Sequence, residues 1–259
     1  MSKQYKTSAK LKNTAKDKLT GAYPKAILIT FLSGLIPFCA SLAISMIASM
    51  TSSAAYAMTG QFSVVMGLQV VFFLISTAAS IVIGVLQLGL SLFFLNLACG
   101  QPCTVSNLFY GFRTQSNKAL GVSAAMVLLD TVCLTPYQML LDHFQNTWEL
   151  SWLGFSLLAL GIGLVIYVPL SLGLSQAFYL MLDFPERSAK EALKLSLQIM
   201  RGHKGRLFYV QISFLPLMFL CLLSFGIGYL WLVPYMNMTS AVFFLDLMNP
   251  APQKQDTSS

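Results

Sequence analysis

Between Glu186 and Arg206 the chain reads ERSAKEALKLSLQIMRGHKGR, the most heavily charged stretch between residues 26 and 259, with long apolar runs on both sides. Its basic side chains, Lys190, Lys194, Arg201, Lys204 and Arg206 with His203, are of the types that bind phosphate. Near a bilayer surface each such cation contributes about 1 kcal/mol of attraction to anionic lipid. His203 can also titrate near neutral pH and join a phosphate grip. The same residues have a plainer use, because cations at a helix C-terminus complement its dipole and mark the cytoplasmic border of a membrane protein. Asp130 is the other chemical candidate. It lies deep in an apolar run, where a carboxylate is costly enough to suggest proton coupling or a substrate contact, unless water or Thr131 and Thr135 satisfy it.

Other chemistries find little support. The chain carries no G-x-S-x-G, H-E-x-x-H or P-loop, so no enzymatic activity is expected and no catalytic residue is proposed. Cys39, Cys133 and Cys221 lie in apolar runs, where cysteine is a small hydrophobe. Cys99 and Cys103 form CGQPC, which has neither C-x-x-C spacing nor a second ligand pair for zinc. His143 and Asp142 stand apart from other ligands, so neither a metal nor a cofactor is expected. The net charge of +7 could suit nucleic acid, but no soluble domain is present to carry such a function.

The elements that must hold these residues are membrane helices. The chain is 56% hydrophobic and only 10% charged, against about a quarter charged in soluble domains. The expected fold is all-α and polytopic: six transmembrane helices with three cytoplasmic amphipathic helices. The spans are predicted at 26–50, 63–98, 119–137, 152–182, 207–225 and 229–247. A basic surface helix occupies residues 1–25. A chargeless linker covers 51–62, and a polar, disordered cytoplasmic tail covers 249–259. The second span is expected to extend beyond the hydrocarbon or to kink near Gly84 or Gly89. Its Ser76, Ser80 and Gly84 recur every four residues, as in a helix-packing face. Bends are expected at Gly161, Gly163 and Pro169 in the fourth span and at Gly226, Gly228 and Pro234 around the sixth. The surface helices lie at 7–20, 104–113 and 189–201. Ser188 and Glu191 make an S-x-x-E capping box for the third, and Gly202 is placed to end it.

Charge sets the topology. Seven of the sixteen Lys and Arg precede the first span, two fall between the second and third, six between the fourth and fifth, and one in the tail. With six spans and both termini cytoplasmic, none falls outside. The segments GIGLVIYVP at 161–169 and GIGYLWLVP at 226–234, with LGLS at 88–91 and 172–175, suggest three copies of a surface helix plus a transmembrane hairpin.

The blocks LKNTAKDKLTGAYPKAI, LFYGF, AFYLMLDFPERSAKEALKLSLQIMRGHKGRLF, SFGIGYLWLVPY and AVFFLDL resemble a bacterial integral membrane family catalogued as domain of unknown function 975. The resemblance covers nearly the whole chain except the loop at 137–151. It is distantly similar to the membrane domain fused to some glycerophosphodiester phosphodiesterases. It implies a multispan protein and supplies no catalytic residues. The expectation is therefore a non-enzymatic protein of the cytoplasmic membrane, handling lipid or organising the envelope, with anionic headgroups and another envelope protein as partners. The alternative is a small transporter using Asp130 and the bent fourth and sixth spans.

Overall fold

Without water in the bilayer interior, every backbone polar group there must be satisfied within the chain, and helices do this segment by segment. The structure, a computed structural model, describes residues 5–249; the tail predicted from sequence lies almost wholly outside them. Every regular element among the described residues is helical. They are α1 (Ser8–Leu19), α2 (Tyr23–Thr59), α3 (Phe62–Gly84), α4 (Leu86–Cys99), a 3₁₀ turn at Val105–Phe109, α5 (Tyr110–Arg113), α6 (Ser116–Thr147), α7 (Leu150–Leu174), α8 (Ala177–Asp183), α9 (Ala189–Ile199), α10 (Lys204–Ile212), α11 (Leu215–Leu223) and α12 (Tyr229–Met248). Six stretches are long and apolar enough to cross a membrane: Tyr23–Thr59, Ser63–Cys99, Ser116–Thr147, Leu150–Asp183, Lys204–Leu223 and Tyr229–Met248.

Several bounds differ from the sequence reading, each for a local reason. The segment expected as a linker is helical to Thr59, and the turn is confined to Gly60 and Gln61, with Gly60 left-handed at φ 65°. Thr51, Ser53 and Thr59 donate their hydroxyl protons to carbonyls one turn back, so these side chains are satisfied within the helix and do not end it. α2 is thus 37 residues, about 55 Å, against a hydrocarbon core of about 30 Å. α6 likewise continues through Pro136 to Thr147, well beyond residue 137. The fifth span breaks between Ile212 and Leu215, before Pro216, whose missing N–H and ring disfavour an unbroken helix. The second span breaks at Val85, and the fourth at Ser175 and Gln176.

The buried core lies at one end of the bundle, the end carrying the basic segments. α1 packs on α12 through Leu11, Ala15 and Leu19, all buried. α12 also touches α2, α4 and α11, and Phe243 and Phe244 are fully enclosed. The second halves of the second and fourth spans and the start of α6 complete this body. The far ends of the α2–α3 and α6–α7 hairpins leave most large apolar side chains uncovered. Aromatic residues mark two of the far turns, with Trp148 and Phe225 exposed and both at positive φ.

Glycines set the closest approaches. A Cβ at Gly89 would collide with the backbone carbonyl of Leu108, so residues 105–113 lie directly on α4. That segment is a 3₁₀ turn followed by one α-turn rather than the single helix expected at 104–113. Gly163 likewise admits the Cys133 carbonyl from α6, and α7 runs unbroken through Gly161, Gly163 and Pro169. The two GIG segments are not equivalent: the first lies within α7, whereas Gly226 is left-handed in the turn before α12. The LGLS segments share a local role, since Gly89 lies beneath residues 107–108 and Gly173 beneath Leu197 of α9.

Candidate functional site

At the basic end, one ion pair ties three distant parts of the chain together. Asp246, in the last turns of α12, is buried and accepts from Arg206 Nη2 of α10 at 2.8 Å. Both Asp246 carboxylate oxygens also accept from the Lys6 backbone N–H at 3.2 Å, while Arg206 Nη2 donates to the Lys6 carbonyl at 2.9 Å. The pair therefore clasps the Lys6 backbone from both sides of its Cα and fixes the approach to α1. Tyr5 and Phe243 present ring faces to the guanidinium at 4.7 and 5.2 Å, and His203 meets the Tyr5 ring edge-on at 4.6 Å. A second tie lies one helix away. Lys12 Nζ donates to the Ser213 carbonyl, freed by the break before α11, and lies 4.1 Å from the Phe214 ring centroid. Burial lowers the Lys12 pKa.

The six sequence-predicted headgroup residues separate into two groups. Arg206 is committed to the clasp and His203 to its rim. Lys204 lies partly buried against Gly173. Lys190, Lys194 and Arg201 are exposed. In α9, Ser188 accepts from the Glu191 N–H and the Glu191 carboxylate accepts from the Ser188 N–H, which completes the capping box. Ala192 and Ser196 are buried, and the Ser196 hydroxyl donates to the Gly173 carbonyl at 2.7 Å. α9 is thereby fastened to α7 with its lysines outward. Lys10, Lys16 and Lys18 of α1 are exposed as well. Among the described residues Arg206–Asp246 is the one ion pair, so these cations have no acidic partner.

Between the spans lie two cavities lined by uncharged polar side chains. One, of about 450 Å³, separates α2 from α3 and includes Ser33, Ser41, Ser76 and Ser80. The other, of about 350 Å³, lies among α4, α6, α7, α8 and α12 and includes Ser91, Ser123, Ser171, Ser175, Asn237 and Ser240. Gly84 and Gln87 line both.

Asp130 lines neither cavity. It is exposed on α6, near Tyr167 of α7. Of the positions expected to bend, Gly163 serves close packing and Gly226 a turn. Gly228 starts α12 against Cys221, and Pro234 is buried inside α12. His143 stacks edge-on against Trp152 at the far end of the α6–α7 hairpin, and no group of metal-binding side chains occurs among the described residues.

Residues 137–250 match the model of a family described as a protein of unknown function (DUF975). No curated protein and no solved structure matches the chain. The DUF975 match is narrower than the resemblance read from sequence: it begins within α6, includes the loop at 137–151, and leaves out α1 to α5 and most of α6. Arg206 and Asp246 both lie inside it, while the Lys6 peptide that they clasp lies outside.

Sequence reasoning missed Asp246 and the cavities. An available signal for Asp246 was an acid closing an otherwise apolar helix, in FFLDL at 243–247.

Proposed function

We propose that this protein is a non-enzymatic, multi-pass protein of the cytoplasmic membrane that engages anionic lipid headgroups at its basic end, in lipid handling or envelope organisation. The observation carrying this reading is the set of exposed cations on and beside α1 and α9, which the fold holds at one end of the bundle and which form no ion pair among the described residues. Positive charge on membrane-border segments is retained in the cytoplasm, which places both termini there. α1 and α9 act as amphipathic helices on that surface, each with an apolar face on the bundle and a basic face toward headgroups. The resemblance to a bacterial membrane family, and distantly to the membrane domain of some glycerophosphodiester phosphodiesterases, agrees with a lipid-side role.

The test is to replace Lys190, Lys194 and Arg201 together by Gln, leaving Arg206 intact because it holds the fold. Lipids co-purifying in native discs are then quantified by mass spectrometry. At about 1 kcal/mol per cation, enrichment of anionic over zwitterionic lipid should fall by up to about a hundredfold at low salt, and less at high salt. Unchanged enrichment would remove the reading. A stoichiometric protein in the same discs would identify an envelope partner.

Transport is the second reading, and the cavities favour it. The fourth and sixth spans contribute Ser171, Ser175, Asn237 and Ser240 to the inner cavity, whereas Asp130 lies elsewhere. Asp130→Asn should therefore leave any flux unchanged, and loss of flux would return Asp130 to the route.

A further inference from the structure

The cavity among α4, α6, α7, α8 and α12 has a particular hydrogen-bonding character. The hydroxyls of Ser91, Ser171 and Ser240 donate to the carbonyls of Gln87, Val168 and Met236 in their own helices. Asn237 Nδ2 donates to the Val233 carbonyl. Ser91 also neighbours the Tyr179 hydroxyl, while the Ser171 and Ser240 oxygens and the Asn237 amide oxygen keep lone pairs for a donor from outside and Asn237 keeps one N–H. Ser123 differs from these. It is 2% exposed, lines the cavity, and its hydroxyl has no partner among the described residues. A buried polar group left unpaired costs about 1–3 kcal/mol, so an orphan hydroxyl facing a cavity calls for an occupant that can bond to it.

The lining also excludes most occupants. It contains no charged side chain, so a phosphate or ammonium would be desolvated there without a counter-charge. A purely apolar occupant would leave Ser123 unsatisfied. The volume of about 350 Å³ falls within the roughly 300–1,000 Å³ of small-molecule sites. Gln87 is exposed and lines both this cavity and the α2–α3 cavity, and among the described residues its amide takes part in no hydrogen bond. Phe38, also exposed, lines that second cavity toward the bundle's outer surface. We propose that this intramembrane cavity binds an uncharged, polyhydroxylated group through Ser123, Gln87 and the acceptor-rich hydroxyls around them. Such a group is either the sugar headgroup of a neutral glycolipid or a free sugar.

The full chain in discs of phosphatidylcholine alone tests this without involving the anionic-lipid reading. Monoglucosyl diacylglycerol is added to the disc, or methyl glucoside to the solution, and bound probe is counted by native mass spectrometry and by radiolabel. Binding of the glycolipid alone assigns a membrane source, and binding of methyl glucoside shows that the free sugar suffices. Ser123→Ala should weaken binding about tenfold while leaving thermal stability unchanged or raised, because it deletes an orphan group. Gln87→Leu, at a side chain that makes no bond in the fold, should weaken binding as well. The proposal fails if neither probe binds or if both variants bind as the parent does.

Discussion

The most apolar spans are the least enclosed by protein, and the least apolar is the most enclosed. Of the most apolar window of Ser63–Cys99, 6% is buried in the fold, against 56% for Tyr229–Met248. Lipid solvates an apolar surface as well as protein does, so hydropathy secures insertion and gives no reason to pack. Packing follows features that lipid cannot satisfy: the Asp246–Arg206 pair, glycines that admit a neighbour's backbone, and helix faces pinned by hydroxyls. The ion pair, Gly89, Gly173 and the Ser196 hydroxyl bond lie at the basic end, whereas Gly163 and Gly228 make their close approaches beyond it. The opposite halves of α2, α3, α6 and α7 present aliphatic side chains outward and are held mainly by their hairpin partners.

The largest expected effect is at the clasp. Asp246→Ala leaves Arg206 beside a buried, unpaired peptide and should cost about 3–5 kcal/mol, toward the lower end because the guanidinium is 28% exposed. Unfolding in detergent measures this, and Asp246→Leu combined with Arg206→Met should recover only part of the loss, because the Lys6 N–H and carbonyl stay without their partners. Gly89→Ala comes next, since its methyl would overlap the Leu108 carbonyl; the cost should be about 1–3 kcal/mol. Ser188→Ala removes one half of the α9 capping box and should cost about 1 kcal/mol. At the far end, Val132→Ala, on a side chain 72% exposed, should change stability by less than about 0.5 kcal/mol. A far-end cost equal to that at Gly89 would erase the contrast between the two halves.

The two halves were also unequally legible. Six spans followed from apolar length, and the α9 capping box from two letters at the right spacing. Helix ends at the far side were harder, because chargeless Ala, Ser and Thr runs read as linker although their hydroxyls bond back into the helix. The clasp was hidden by separation: Arg206 and Asp246 are 40 residues apart, and the Lys6 N–H is 240 from its acceptor. The cavities were hidden by ambiguity. Ser76, Ser80 and Gly84 do form one face, but Gly84 packs closely on Ser123 whereas both serines line a cavity. A serine that packs and a serine that waits for a ligand are the same letter.

The finest test of the comparison lies where the packed end meets water. The Ser213 carbonyl and the Phe214 ring favour the Lys12 ammonium, whereas partial burial disfavours it, and the net effect holds its pKa below 10.5. The unfolded chain therefore binds this proton more tightly than the folded one. Stability is unaffected while both forms are protonated and rises with pH between the folded value and 10.5. Lys12→Met keeps the aliphatic stem and removes the titration, so the parent should gain stability relative to this variant as pH climbs through that window. Unfolding midpoints of the two, compared from pH 8 upward, measure the difference. An opposite slope would mean that the ring and carbonyl outweigh desolvation, and that this edge of the packed end is held by charge more than by exclusion of water.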